Sequence, residues 1–302
     1  MKVIVNRKQY DKLINESRGY SKTLEKWADY ITDELLNLIL KQDVEEDVYL
    51  LTNLSVKLKG KDFYEELPID SIIIPVIMIE SQDESASINM GYVPTYTQMV
   101  EKEDGSYNIL DVELEVTMEL PKDRSDIDIS MLHYHFSSRL SHEFMHVYEW
   151  VNRGMESPKG IKGCESIYSE GTINGDTVDR IGYMLYIALS FENNAFIQQA
   201  ATMISKLKPE NREQFMVYLK ENPIYHFAET MINYDSNTYL EEINGLDKDR
   251  LNQLQRIIMC YYSKDGIPKV KPVEVFLSDL DRKLKMNGEY IKRKLLGLIT
   301  VV

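Results

Sequence analysis

The stretch Ser141-His142-Glu143-Phe144-Met145-His146-Val147-Tyr148-Glu149-Trp150 carries the strongest signal in this chain of 302 residues. Its two histidines are four residues apart. Because an α-helix turns once in about 3.6 residues, this spacing puts both imidazole rings on one face, one turn apart. Two imidazoles placed in this way can bind one metal ion. Glu143, which follows the first histidine, can reach a water molecule at an open coordination position.

The residues around this motif predict a helix with two different faces. At about 100° per residue, an apolar stripe falls opposite His142. The stripe consists of Leu140, Phe144, Val147 and Val151. The other face carries His135, Arg139, His142, His146 and Glu149. A buried active-site helix needs this combination of one core face and one metal-binding face.

Composition is typical of a globular protein with an ample core, in one large domain or two smaller ones. Apolar residues make up 43% and charged residues 28% of the chain. The net charge of −14 argues against nucleic acid or an anionic membrane as a partner. No run approaches the roughly 18 apolar residues of a membrane span, and no signal peptide is recognisable. Two cysteines, Cys164 and Cys260, are too few for a disulfide scaffold, so we expect a cytoplasmic protein.

Hydrophobic periodicity predicts a helix over residues 8–42 and then a sheet. Strands are expected at residues 47–59 and 71–80, and Pro75 predicts a bulge or a sheet edge in the second of them. Residues 87–100 and 106–120 flank a Glu-Asp-Gly turn signal and therefore predict a hairpin. The second arm of the hairpin alternates between apolar and polar residues, as a half-buried antiparallel strand does.

The second half of the chain is predicted to be mainly helical. Asp126 or Asp128 is expected to cap the motif helix, which should cover residues 129–153. Residues 154–175 contain five glycines and form either a plain connection or a flap. A single helix is expected over residues 177–207. The predicted organisation is therefore residues 1–153, with the active-site helix, and residues 154–302, forming one catalytic unit.

This order of elements resembles the zincin metallopeptidases, and the matched residues are His142, Glu143 and His146. The resemblance covers about residues 45–210. It implies an α+β, zincin-like fold in which a small, mostly antiparallel sheet packs on the active-site helix, followed by a mainly helical C-terminal part. The metzincin subclass requires a glycine and a third histidine where this chain has Glu149 and Asn152, so that subclass is excluded.

The gluzincin subclass takes its third ligand, a glutamate, from a later helix, and Glu192 is the residue that fits this pattern. Glu192 lies among apolar residues and is expected to point inward, where a carboxylate is costly without a cation. These neighbours are Leu185, Leu189, Phe196 and Ile197. The resemblance then implies Zn²⁺ held by His142, His146 and Glu192. The alternatives for the third ligand are Glu165, Glu170, Asp176 and Asp179.

The implied function is a zinc-dependent metallopeptidase that acts on a peptide or protein substrate, with Glu143 as the general base. The substrate is expected to lie along an edge strand, formed by residues 106–120. Tyr183, Tyr186 or His226 could stabilise the transition state. His133, His135 and Cys164 are weaker candidates for any role at the site. The alternative is a zincin-like metal-binding protein with a structural or interaction role and little or no proteolysis.

Overall fold

A computed structural model describes residues 21–41, 50–58, 69–81, 87–93, 99–101, 107–121, 128–152, 175–263 and 269–301. Over these residues the protein has an α+β fold, as the sequence predicts. The strands are β1 (Leu50–Lys57), β2 (Ile69–Ser81), β3 (Ser87–Val93), β4 (Met99–Glu101) and β5 (Tyr107–Pro121). The helices are α1 (Lys22–Lys41), α2 (Ile129–Asn152), α3 (Thr177–Ile187), α4 (Ser190–Lys206), α5 (Arg212–Glu221), α6 (Pro223–Ile232), α7 (Tyr239–Asn244), α8 (Lys248–Tyr261) and α9 (Val273–Gly297). Short 3₁₀ turns precede α7 and follow α9.

Two compact units make up the chain, and we describe them in turn. The first contains α1, the sheet, α2 and the residues from Ala201 to Lys208 at the end of α4. The second contains α3, the earlier part of α4 and the helices α5 to α9. In the part of the chain that the structure describes, no helix is both long and apolar enough to cross a lipid bilayer.

The sheet of the first unit is mostly antiparallel, in the order β1-β2-β5-β3, and β4 also pairs with β5. Only the β2–β5 pair among these strands is parallel. The predicted hairpin is confirmed, because β4 and β5 are antiparallel with Glu101 opposite Tyr107. Helix α1 contacts β1, and the motif helix α2 contacts β3.

The position of β5 corrects one prediction. This strand lies between β2 on one side and β3 and β4 on the other. The arm at residues 106–120 is therefore not an edge, and its backbone has no side left on which a substrate could add as a further strand. Within the described sheet, β1, β3 and the short β4 each pair with a neighbour on one side only.

The predicted effect of Pro75 is also wrong. Strand β2 is an interior strand, and Pro75 lies opposite Asn53 of β1. On the β5 side the register is the same before and after the proline, with Ile73 opposite Glu113 and Val76 opposite Val116. A strand residue points its N–H towards only one neighbouring strand. The proline therefore removes one ladder bond without shifting the strand.

Helices α1 and α2 pack against each other in antiparallel directions. The rings of Trp27 and Phe144 meet edge to face with centroids 5.6 Å apart. Towards the start of α2, His133 Nε2 lies 3.3 Å from an Asp33 carboxylate oxygen. The predicted core stripe of α2 is confirmed for its described side chains, which are at most 1% exposed: Leu140, Phe144 and Val147. The helix predicted over residues 8–42 is observed from Lys22, and residues 8–20 lie outside the described part.

Helix α2 begins where the sequence predicts. The Asp128 carboxylate accepts hydrogen bonds from the backbone N–H groups of Ser130 (2.9 Å) and Met131 (3.1 Å). These are two of the amides that a helix start leaves without a helical partner, so Asp128 is an N-cap. The other predicted cap, Asp126, lies outside the described residues.

The helix predicted over residues 177–207 is instead two helices, α3 and α4, which are separated by Ala188 and Leu189. The backbone N–H of Leu189 bonds to the carbonyl oxygen of Tyr186 in a tightened last turn. The carbonyl oxygen of Ala188 accepts a 2.7 Å hydrogen bond from the side-chain amide of Asn287 in α9. In a continuous helix, the carbonyl oxygen of Ala188 would accept a hydrogen bond from a backbone N–H one turn later. Here it bonds instead to the side chain of a residue 99 positions away.

Close packing of α6 and α9 in the second unit depends on Gly288. A Cβ atom at this position would lie 2.5 Å from the Ala228 carbonyl oxygen and 2.8 Å from Ile232 Cγ1. Both distances are shorter than carbon atoms tolerate, and the first involves backbone, which cannot swing away. The side of α9 that turns inward is apolar at helical spacing: Phe276, Leu277, Leu280, Leu284, Ile291 and Leu295.

We therefore expect Gly288→Ala to lower the free energy of unfolding by about 1–3 kcal/mol, because the methyl group forces α6 and α9 apart. The matched control is Gly297→Ala at the end of the same helix, where an added Cβ meets nothing within 4 Å. The control should be neutral or slightly stabilising, since alanine favours helix over glycine. Urea denaturation of the two variants measures the difference, and equal stabilities would contradict this packing.

Candidate metal centre

The two motif histidines lie on the face of α2 opposite its core stripe, as predicted. Their ring centroids are 4.8 Å apart and the rings are nearly perpendicular, at 83°. Both side chains are partly buried, and solvent does not reach Nδ1 of His142 or either ring nitrogen of His146. The two rings are therefore held in a largely dry environment.

Glu192 is buried, with 1% of its surface exposed, and this confirms the prediction that it points inward. It lies in the first turn of α4 rather than in the middle of a long helix. The N-terminal end of a helix carries a partial positive charge from its unpaired backbone N–H groups. The break between α3 and α4 thus places the carboxylate where the helix itself favours a negative charge.

Helix α9 holds the corner that carries Glu192. Besides the bond from Asn287 to the Ala188 carbonyl, the Tyr290 hydroxyl lies 3.3 Å from the side-chain oxygen of Asn194. Ala188 ends α3, and Asn194 lies two residues after Glu192. Sequence reasoning missed both α9 residues, because no local pattern connects them with a corner about 100 residues earlier.

The side chains of His142, His146 and Glu192 come together, with their potential ligand atoms all within 4.8 Å of one another. Two imidazoles and one carboxylate are a donor set that suits several divalent metals. A tetrahedral zinc site holds its donors roughly 3.4 Å apart, so small side-chain rotations would close the group around one ion. The group could therefore bind a metal ion, and it contains the three residues that the sequence predicts as ligands.

Two of the alternative third ligands have other roles in the structure. The Asp176 carboxylate accepts hydrogen bonds from the backbone of Val178 and Asp179 and so caps α3, and Asp179 completes a capping box. Both carboxylates also form ion pairs with Arg250 of α8. Neither belongs to the group of potential ligands. The remaining alternatives, Glu165 and Glu170, lie outside the described residues, as do Cys164 and residues 154–174.

Glu143 and Tyr183 are the candidates for chemistry next to this group. Glu143 is half-buried on α2 and is not one of the three potential ligands. Tyr183 of α3 is also half-buried. Burial and, to a smaller extent, the negative charge of Glu192 raise the pKa of its phenol. The hydroxyl is protonated at neutral pH, as an ordinary phenol is, and is therefore a potential hydrogen-bond donor.

Three further histidines take no part in this group. The imidazole of His226 is 61% exposed on α6 and lies 3.6 Å from Glu229. His133 faces Asp33 of α1. His135 is on the outer side of α2, where partial burial and the nearby positive charge of Arg139 lower its pKa.

Comparisons with known proteins provide no relative: no protein family, no curated protein and no solved structure matches this chain. The metal-binding interpretation consequently depends on the residues of this chain and their arrangement.

We expect Glu192→Ala to weaken Zn²⁺ binding by at least about 100-fold, because it removes one of the three potential ligands, whereas losing an outer-shell partner costs about 10- to 100-fold. Asp176→Ala and Asp179→Ala should bind Zn²⁺ as the wild type does. Asp176→Ala should nevertheless lower the stability by about 1 kcal/mol, through the lost helix cap. Competition with a chelator measures the affinities, and thermal unfolding measures the stabilities.

The stability of the metal-free protein gives a second test of Glu192 as a ligand. Without a metal, Glu192 is a carboxylate buried at a cost, so Glu192→Ala should destabilise the apo protein little or even stabilise it. Normal Zn²⁺ binding by Glu192→Ala, together with a large loss in Asp176→Ala or Asp179→Ala, would assign the third ligand elsewhere.

Proposed function

We propose that this protein is a zinc-dependent peptidase of the gluzincin-like zincin type. The observation that carries the proposal is the convergence of His142, His146 and Glu192, with Glu143 next to the first ligand on the same helix. The two histidines come from the motif and the glutamate from a later helix, which is the arrangement that the resemblance implies.

The number of ligands favours a catalytic over a structural metal. Structural zinc sites are usually closed by four protein ligands, whereas catalytic sites have three and keep one position open. Among the described residues, the group has three members. When bound there, Zn²⁺ would supply a Lewis acid for a carbonyl group and would make water easier to deprotonate at neutral pH.

In this proposal, two residues of the chain carry out the proton transfer and stabilise the transition state. Glu143 accepts a proton from the attacking water and passes it to the leaving amine, as a general base and then a general acid. The protonated Tyr183 hydroxyl donates a hydrogen bond to the negative oxygen that develops on the scissile carbonyl. The negative charge of Glu192 contributes to the raised pKa of Tyr183, which supports placing this phenol near the proposed site.

An extended peptide along β3 is the substrate arrangement that the sheet supports. Strand β3 is an edge of the described sheet, and it contacts α2, the helix that carries Glu143. An edge strand has one row of backbone N–H and C=O groups that can pair with an added peptide. Main-chain pairing of this kind recognises a peptide largely independently of its side chains.

Glu143→Gln tests the general base. The substitution conserves size and removes only the basic oxygen, so the fold and zinc content should be unchanged, while peptide cleavage should fall by at least about 100-fold. The control is Glu149→Gln, the same change in the same helix at a residue outside the ligand group, which should retain activity. Cleavage of a mixed peptide library, with zinc content measured in parallel, distinguishes the variants.

The same experiment distinguishes the alternative function. If wild type and Glu143→Gln both bind one zinc and neither cleaves any peptide, the protein is a metal-binding protein with a structural or interaction role. A Glu143→Gln variant that cleaves at the wild-type rate would refute the proposed mechanism.

Tyr183→Phe tests the hydrogen-bond donor. Because the donor acts on an oxygen that becomes negative only in the transition state, kcat should fall by about 10²-fold, with little change in KM. Tyr186→Phe, three residues further along α3, is the matched control and should retain kcat. A wild-type kcat for Tyr183→Phe would exclude Tyr183 from this role, and a loss confined to Tyr186→Phe would assign the role to Tyr186.

A further inference from the structure

A single carboxylate oxygen joins three helices in the first unit. Oδ1 of Asp29, in α1, accepts a hydrogen bond from the Ser137 hydroxyl of α2 and also pairs with the ammonium group of Lys206 at the end of α4. Next to it, the Ser205 hydroxyl donates a 2.7 Å hydrogen bond to Glu25 of α1. The end of α4 is thus tied to α1, and through Asp29 to the histidine-bearing helix.

From this junction we infer that Asp29 is a positioning residue for the metal centre: it aligns α4 with α2 so that Glu192 reaches the ion held by His142 and His146. The inference rests on the proposed metal site and adds a residue that touches neither the metal nor the substrate. Ser137 lies only five residues before His142, and Lys206 lies on the same helix as Glu192.

Helix geometry shows why alignment at this end matters. Glu192 and Lys206 are 14 residues apart on one helix, which corresponds to about 21 Å along its axis. A change of about 5° in the helix direction at Lys206 moves the position of Glu192 by almost 2 Å over that length. Metal and catalytic geometries generally tolerate about 0.5 Å. A small shift at Asp29 is therefore enough to disturb coordination.

The electrostatics of the junction explain why a carboxylate is needed. The side chain of Lys206 is only 15% exposed, so its positive charge has little access to water. Without the charge of Asp29, an ammonium group with little hydration has lost its counter-ion, and it gains by moving out to solvent. That movement would displace the last turn of α4.

Ser137 makes the junction sensitive to the identity of residue 29. Its side chain is fully buried, and so are those of Ser138 and Ser141 on the same helix. The hydroxyls of Ser138 and Ser141 bond to backbone carbonyl oxygens within α2, whereas the Ser137 hydroxyl donates to Asp29 of α1. A buried hydroxyl that has lost its acceptor destabilises the fold. A change at Asp29 therefore affects α2, through Ser137, in addition to α4.

The experiment measures Zn²⁺ affinity by chelator competition for Asp29→Asn, Asp29→Ala and Lys206→Met in the full chain. We expect each variant to bind Zn²⁺ about 10-fold more weakly or worse, at the lower end of outer-shell effects. The matched control is Asp33→Asn. Asp33 lies one turn further along α1 and faces His133 of α2, and the described contacts of its side chain do not include α4. Its affinity should match the wild type.

Two measurements distinguish a positioning role of Asp29 from a purely structural role. Leu35→Ala removes a fully buried side chain from α1 and destabilises the first unit without changing the junction. If stability alone controlled affinity, this variant would lose as much Zn²⁺ affinity as Asp29→Asn. In addition, the visible absorption of bound Co²⁺ reports ligand number and geometry. The Co²⁺ spectrum of Asp29→Ala should resemble that of Glu192→Ala, and that of Leu35→Ala should resemble the wild type.

A double variant tests whether Asp29 acts through Lys206. If it does, the double variant Asp29→Asn with Lys206→Met should lose less Zn²⁺ affinity than the product of the two single losses. Each single change already breaks the Asp29–Lys206 pair, so the second change has no further pair to break. Independent, multiplicative losses would overturn the proposed route through Lys206.

The failure of this inference and the failure of the proposed metal site look different. A wild-type protein that binds no Zn²⁺ would refute the metal site. If the wild type binds Zn²⁺ and Glu192→Ala does not, but Asp29→Asn and Lys206→Met bind normally, the metal site stands and the role of Asp29 is wrong. Should Asp29→Ala fail to fold, the milder Asp29→Asn and Lys206→Met still decide the question.

Discussion

Burial of the Glu192 carboxylate is the constraint on which the functional interpretation depends. A charged carboxylate loses its hydration when it is buried, and this costs several kcal/mol unless other charges compensate. Only 1% of Glu192 is exposed. Its position in the first turn of α4 provides part of the compensation, through the partial positive charge of the helix end. A cation shared with His142 and His146 would provide a much larger part.

The turn before α4 and the contacts near its two ends determine where this carboxylate lies. A continuous helix over residues 177–207 would put Glu192 in mid-helix, where the helix dipole has little effect. The structure instead turns at Ala188, and Asn287 and Tyr290 of α9 hold the turn. The far end of α4 is held by Asp29. The helix that carries Glu192 thus has side-chain contacts near both of its ends.

The motif helix α2 is fixed by a different set of interactions. Its core stripe packs against α1, through contacts such as the edge-to-face pair of Trp27 and Phe144, and the helix also contacts β3. A helix buried on these sides has little freedom to rotate, so the direction of its histidines is determined by its apolar residues. The apolar residues opposite the histidines therefore contribute to the geometry of the candidate metal centre.

Local periodicity and spacing in the sequence were enough to predict the α+β class, the start of α2 to within two candidate caps, Asp126 and Asp128, its core stripe, the hairpin and the two histidines on one face. These features depend on interactions between residues that are near in sequence. The inward direction of Glu192 was also predictable, because apolar neighbours surround it.

Only the tertiary structure decided the features that depend on distant residues. The turn at Ala188 is bonded to Asn287, Asp176 and Asp179 pair with Arg250 rather than joining the two histidines, and β5 is an interior strand because it pairs in parallel with β2. In each case the deciding partner is a side chain or strand tens of residues away. A local pattern contains no information about such a partner, because the pattern is the same whether or not the partner is there.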